Sequence, residues 1–221
     1  MDAARDPTRL VDAWPLFGLC IRSERLVLRL PTDEDILAMI DVARAGIHPP
    51  DEMPFGIAWT DVPSPSFERS FVQHHWAARA GWTAEAWMLH LMVELDGSTI
   101  GAQSLEAKDF PQRRTVDTGS WLGHAWQGRG LGSEMRSAVL GFAFEALGAR
   151  LAETEAFLDN APSNGVSRSL GYAPTGEGSL SPRGEARITQ RWEMTDEAWR
   201  SRPRPPISIE GLEACRALFG V

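Results

Sequence analysis

The sequence predicts an α/β (α+β) domain built on a mixed, mostly antiparallel sheet with one parallel strand pair, flanked by helices. Three observations lead there. Asp96-Gly97 between two strand-like runs is a strong hairpin signal, so the sheet is antiparallel at that point. A strand over Val116–Leu122 feeds a glycine-rich turn and a helix running to about Leu147, and Arg150–Phe157 follows as another strand. A strand, helix, strand unit with a short return makes those two strands parallel with a right-handed crossover. The intervening helix sets Met135, Val139, Phe142 and Ala146 at steps of three and four, the spacing of a helix that lays one face on a core.

With 221 residues, 43% hydrophobic and 24% charged, the chain suits one domain with decorations: an arm over residues 1–20, the domain over 21–199 and a tail over 200–221. A net charge of -8 argues against nucleic acid or an anionic membrane as the main partner. Nothing approaches the roughly 20 apolar residues of a membrane span, and no secretory signal opens the chain. Cys20 and Cys215 lack metal-ligand spacing, so the expectation is a reduced, cytoplasmic protein without a metal.

Taken in order, Trp14-Pro15-Leu16-Phe17 is expected to dock as an arm, and Arg25–Leu30 alternates as a half-buried strand. Thr32 and Asp35 make a near capping box for a helix with Ile36, Met39, Ile40 and Ala43 on its stripe. Five prolines between Gly46 and Pro65 exclude regular structure there, and Phe55, Trp59, Asp51 and Glu52 suit the wall of an acceptor pocket. Ser66 is read as the cap of a helix to about Ala80 with Phe67, Phe71, His74 and Ala78 on one face; the adjacent His74 and His75 diverge, against a shared metal. Strands over Trp87–Leu95 and Ser98 to about Ala107 complete a meander with Val116–Leu122. Asn160 to Ser163 caps a short helix that Gly171 ends, and a last hairpin spans Tyr172 to Met194. Leu212–Phe219 forms a final short helix, and the aromatic arm and this tail suit a homodimer contact.

The glycine turn presents unpaired N–H groups at a helix start, where an anion is favoured. A P-loop needs a lysine that Gly128 to Ser133 lacks, and a dinucleotide fingerprint needs G-x-G-x-x-G in a parallel context. Left open are another anion or a ligand-free tight turn that uses glycine for positive φ.

Gln127-x-x-Gly130-x-Gly132 resembles the pyrophosphate-binding motif of the GCN5-related N-acetyltransferases (GNAT). Asn160-x-x-Ser163-x-x-Val166 with Leu170-Gly171-Tyr172 resembles that family's next helix and strand. Arg191 to Thr195 and Arg25 to Asp35 are similar to the branch holding the ribosomal-protein N-terminal acetyltransferases, so the resemblance covers about residues 22–199. Met53-Pro54-Phe55, Lys108 to Pro111, Val116 to Gly123 and Glu134-Met135-Arg136 are similar to members described as binding succinyl-CoA.

The resemblance implies a parallel strand pair splayed for coenzyme A and direct acyl transfer from acetyl-CoA or succinyl-CoA to an amine. It implies that backbone groups near Trp121, Leu122 and Gly123 polarise the thioester. Gln127, Gly128, Arg129, Gly130, Leu131, Gly132 and Ser133 would hold the pyrophosphate, with Asn160 and Ser163 on the next helix. Many members place a tyrosine acid where this chain has Ser167; the N-terminal acetyltransferase branch points instead to Ser163, which is preferred here and also suits a helix cap. Asp117 holds the strand position where relatives often carry a glutamate base, with Glu106, Glu185 or a water as alternatives. Arg113 and Arg114 are candidates for an anionic acceptor or a succinyl carboxylate. An acyl-CoA sensor without catalysis is the rival reading.

Overall fold

The computed structural model describes residues 9–221, so residues 1–8 of the expected arm lie outside the described residues. In chain order the elements are α1 (Leu10–Ala13), β1 (Cys20–Arg22), β2 (Leu26–Arg29), α2 (Asp33–Arg44), α3 (Ser66–Ala80), β3 (Ala86–Leu95), β4 (Ser98–Lys108) and α4 (Phe110–Arg113). They continue with β5 (Thr115–Leu122), α5 (Leu131–Gly141), β6 (Leu151–Phe157), α6 (Ala161–Leu170), β7 (Ala173–Leu180), β8 (Arg187–Thr195), α7 (Asp196–Arg200), β9 (Ser208–Glu210) and α8 (Leu212–Cys215).

The nine strands form one sheet in the order β7-β8-β6-β5-β4-β3-β2-β1-β9. Among the described residues only β5 and β6 are parallel. Their ladder is short: Thr115, Val116 and Asp117 pair with Leu151, Ala152 and Glu153, after which the two strands part from each other, β5 running on to Leu122 beside β4 and β6 to Phe157 beside β8. A gap therefore opens in the middle of the sheet, as expected.

Helices cover both faces. Leu89, Leu91 and Val93 of β3 point into the core under α5, whereas Met92 and Ala102 join Ile36, Met39, Phe67 and Phe71 in a second core under α2 and α3. The α2 capping box forms: the Thr32 hydroxyl accepts from Asp35 N–H and the Asp35 carboxylate accepts from Thr32 N–H. In α3 the reading shifts by one place. Pro65, not Ser66, holds the cap position, and His75, not His74, completes the buried stripe with Phe67, Phe71 and Ala78. Steps of three-then-four and four-then-three both join Phe71 to Ala78, so spacing alone does not choose between the two histidines.

The tail and the arm pack on the rest of the chain. β9 pairs with β1, the Trp82 indole N–H donates to Leu218 O at 2.7 Å, and Leu16 and Phe219 are fully buried. Of the apolar groups offered above as a dimer contact, Leu16 and Phe219 are thus covered within the chain, while Trp14, Phe17, Leu212 and Leu218 are half-buried. α1, β1, α4, α7 and β9 were not read from the sequence; each spans no more than five residues, too short for a periodicity. No helix among the described residues is long and apolar enough to cross a membrane.

Candidate active site

At the open end of the gap, α5 begins on Gly130, whose φ is +77°, two residues after Gly128 at +71°. This left-handed backbone turns the chain sharply, and the N–H groups of Gly128 to Ser133 find no backbone acceptor; the first helical bond is Glu134 N–H to Gly130 O at 3.2 Å. Six consecutive unpaired donors at a helix start are an arrangement that favours an anion. Space is available: a Cβ on Gly128 would meet nothing within 4 Å, and one on Gly130 would meet only the Arg25 guanidinium, at 3.7 Å.

That guanidinium is a site residue the sequence did not reveal. Glu134, in the first turn of α5, accepts from Ser23 Oγ at 2.7 Å, from Arg25 N at 2.9 Å and from Arg25 Nε at 2.7 Å, which holds Arg25 against the turn. Burial pushes the Glu134 carboxyl up, but the hydrogen bonds from Ser23 and Arg25 outweigh it and the net direction is down. Arg129 lies with its guanidinium 5.2 Å from the Trp126 ring centre, at the mouth of the same turn.

Along β5, Gly123 N–H donates to Ile100 O at 2.9 Å, so alternation in the antiparallel ladder turns the N–H groups of Leu122 and Ser120 toward the gap and that of Trp121 toward β4. Of the three residues expected to offer backbone donors, Gly123 and Trp121 are committed and Leu122 is available. Gln127 is committed too: its side-chain amide donates to Ile47 O at 2.7 Å and Leu122 O at 2.8 Å, tying the end of β5 to the proline-rich loop. Its role is to hold the wall rather than to touch an anion.

On the other side, Asn160 caps α6, its side-chain oxygen accepting from Ser163 N–H at 3.1 Å. Ser163 is therefore the third helical residue and not the cap. Its half-buried hydroxyl makes no hydrogen bond among the described residues. Ser167 is fully buried and donates to Ser163 O, which leaves it no proton to offer. Gly132 sits where α5 approaches both Val166 of α6 and Leu122 of β5, 3.8 and 4.0 Å from its Cβ position.

A profile of the acetyltransferase (GNAT) domain matches residues 25–173, a span holding the glycine turn, the splayed pair and the capped α6. The chain belongs to the GNAT acetyltransferase domain family.

Solved structures share the GNAT fold. Mycobacterium smegmatis RimJ, in complex with CoA-disulfide, is 20% identical with a TM-score of 0.66, covering 92% of this chain and 95% of its own. A GNAT-family acetyltransferase from Bacillus anthracis is 18% identical with a TM-score of 0.62, over 80% and 99%. RimL, a ribosomal-protein alpha-N-acetyltransferase in complex with coenzyme A, is 17% identical with a TM-score of 0.59, over 80% and 97%.

On the face of this GNAT sheet away from α5, Glu106, Asp117 and Glu153 lie side by side across β4, β5 and β6. Asp117 keeps a path to solvent, yet surrounding atoms crowd its carboxylate. Partial burial moves it upward and Glu155 adds to that, against Lys108 and Arg113. Burial first, and then Asp117, likewise raises Glu106 and Glu153. Arg114, offered above as an anion ligand, instead donates to Leu147 O at 3.1 Å and covers the Phe110 ring.

The proline-rich loop and the β7–β8 turn are fastened together. Arg183 donates to both Asp61 oxygens at 2.7 and 2.8 Å, and Arg187 donates to Met53 O at 2.6 Å and Asp159 at 2.8 Å. Between them is a cleft of about 280 Å³ lined by Asp51, Glu52, Asp159 and Glu185 with the two arginines. The proline-rich loop and the terminal hairpin are thus the two walls of one cleft. His74 and His75 both meet His90 of β3, with ring centres 4.6 and 5.7 Å apart, behind this face. Among the described residues no group of three or more His, Cys, Asp or Glu side chains is arranged to hold a metal ion.

Proposed function

We propose that the protein is an acyl-CoA-dependent N-acyltransferase that moves an acyl group, acetyl or succinyl, directly to a primary amine of a small molecule or protein. The observation that carries this reading is the coincidence of the splayed β5–β6 gap with six free N–H groups at its open end. The glycine turn, with Arg25 and Arg129 beside it, suits the charge and bulk of a pyrophosphate. The gap then takes the extended pantetheine, with the Ser120 and Leu122 N–H groups facing it. The acid-lined cleft favours an acceptor that arrives as a cation.

In this reading Asp117 takes a proton from the acceptor ammonium, its raised carboxyl being closer to neutral pH than an ordinary one. The freed nitrogen bonds to the thioester carbon. Backbone N–H groups of β5 stabilise the oxyanion, in positions fixed before reaction by the β4 ladder. As the C–S bond breaks, sulfur takes a proton from the Ser163 hydroxyl, which regains one released by the nitrogen. The two free cysteines fit a reduced compartment such as the cytoplasm. Incubation with acetyl-CoA or succinyl-CoA and a panel of amines, with titration of free thiol, tests the proposal: thiol release that depends on the amine is expected. Tight binding without release would make the protein a sensor.

A further inference from the structure

A second cleft, of about 250 Å³, lies where the tail crosses α5. The tail there is basic and stiff: Arg200, Arg202 and Arg204 alternate with Ser201 and Pro203, ahead of Pro205 and Pro206. Each proline fixes its own φ and disfavours a helix at the residue before it, so the segment runs extended from α7 to β9, which is paired to β1. Its approach to α5 is uneven. Gly141 takes the close contact, since a Cβ there would stand 2.8 Å from Ile207 Cδ1 and 3.7 Å from the Trp199 ring. Ser137, four residues earlier on the same helix face, borders the cleft instead.

The lining suits an anion. Ser137 is 4% exposed, yet its hydroxyl makes no hydrogen bond among the described residues. A hydroxyl so enclosed and still unpaired lacks an acceptor. Arg202, also in the lining, donates from Nη2 to Ser169 O at 3.1 Å, and no carboxylate among the described residues pairs with it. Its two neighbours are engaged: Arg200 holds Asp196 at 2.7 Å, and Arg204 holds Glu145 at 2.9 Å. Glu145 is neutralised further by the Trp199 indole N–H, which donates to it at 3.0 Å. Among the described residues no Asp or Glu lines this cleft, in contrast to the first, and Leu170, Trp199 and Pro203 give it an apolar wall that strengthens a charge-assisted bond.

We propose that this cleft is a second oxyanion site, in which Arg202 and the Ser137 hydroxyl hold a phosphate monoester. Ser137 stands about 6 Å along α5 from Ser133, the last residue of the free N–H run. Two sources of the phosphate are therefore in reach: the 3′-phosphate of a coenzyme A whose pyrophosphate lies at the glycine turn, or a separate phosphate. The first source rests on the acyl-CoA reading of the gap; the second does not.

Two measurements on the full chain test this: calorimetric titration with coenzyme A and with 3′-dephospho-coenzyme A, and thermal unfolding in inorganic phosphate against chloride at equal ionic strength. The wild type is expected to bind coenzyme A at least about tenfold more tightly than its dephospho form when the cofactor is the source, and to gain Tm in phosphate when the ligand is separate. Arg202→Gln is expected to diminish whichever effect the wild type shows. Ser137→Ala, which removes one hydroxyl and no packing, is expected to diminish it by less, about threefold in affinity, and serves where Arg202→Gln fails to fold. A coenzyme A preference that falls in the variants identifies the cofactor as the source, and a phosphate gain that falls without such a preference identifies a separate ligand. A wild type with neither effect, or variants that keep both undiminished, overturn the site. If the wild type binds neither form of coenzyme A, the acyl-CoA reading falls and the phosphate measurement alone decides this one.

Discussion

Replacing Gly130 with alanine separates the shape of the glycine turn from what the turn binds. Gly130 has φ of +77°, and the nearest atom to a new Cβ is Arg25 Nη2 at 3.7 Å, so the substitution is strained but not crowded. A left-handed backbone costs an alanine about 1–2 kcal/mol, and the stiffer unfolded chain returns about 0.4–1 kcal/mol. The net loss is about 1 kcal/mol, or about 2–4 °C in Tm for a chain of this size. Gly148, where the helix run ends, is a matched control: φ is +68° and nothing lies within 4 Å of its Cβ position. Gly148→Ala should lose the same stability and no affinity. Gly130→Ala should also weaken coenzyme A about ten- to hundredfold, because relaxing the turn misdirects at least one N–H bond to a charged oxygen, worth about 1.5–3 kcal/mol. Thermal unfolding by circular dichroism and titration calorimetry measure the two effects. Equal loss of stability in both variants with coenzyme A affinity intact in both would make the turn structural only and refute the anion site.

Three further outcomes follow from the same geometry. Ser163→Ala should leave Tm unchanged, since its hydroxyl holds nothing in place, and should lower the rate of amine acylation about 10²-fold with unchanged coenzyme A affinity; an unaltered rate dismisses Ser163 as the acid. Asn160→Ala should cost about 1 kcal/mol through the lost cap, seen as a Tm lower by a few degrees. The pH dependence of stability should expose the histidines: burial first, then the neighbouring His74, holds His75 and His90 down to about 3. Their neutral forms contribute stability that is complete above the ordinary value of 6.5 and is lost as pH falls toward 3, because the unfolded chain binds those protons first. Asp35, lowered to about 2 chiefly by its hydrogen bonds from Arg29, acts only below the ordinary 3.8, while the raised Glu106, Asp117 and Glu153 act in the opposite sense to the histidines. The histidine share is therefore read by difference: the fall in urea midpoint from pH 7 to pH 5 should be smaller in His75→Phe than in the wild type, and an equal fall in both would show that His75 is not buried neutral.

Much of the frame was legible because long elements declare themselves locally. The Asp96-Gly97 turn, the Thr32 box, the stripe of α5 and the Gly171 stop each depend on residues within a few places of one another. What stayed hidden depends on distance. Arg25 is held at the glycine turn by Glu134, 109 residues away, and by its own hydrogen bond to Arg129 O at 3.4 Å. Gln127 has the right identity at the right spacing, but its amide is committed to Ile47 and Leu122, which no spacing announces. Ser137 and Arg202 come to one cleft only because the tail crosses α5; in the sequence nothing joins them. Five short elements and the docking of the tail were missed for the same reason, since they take their form from a sheet and core that already exist.

The charges explain why a net value of -8 is compatible with an anionic donor. The two sides of the sheet are polarised in opposite senses. On the α5 side the free N–H groups, Arg25 and Arg129 lie at the open end of the gap. On the other side Glu106, Asp117 and Glu153 form a row, and the cleft between the proline-rich loop and the hairpin adds Asp51, Glu52 and Glu185. In the proposed function, a negative donor and a positive acceptor are thereby drawn to opposite faces and meet through the opening where β5 and β6 part. Because that opening is made by the end of a hydrogen-bonded ladder and not by a mobile loop, the meeting point is set by the fold itself. Loss of the parting, for instance by a variant that extends the β5–β6 ladder beyond Asp117, would leave both charged surfaces intact and still separate the reactants.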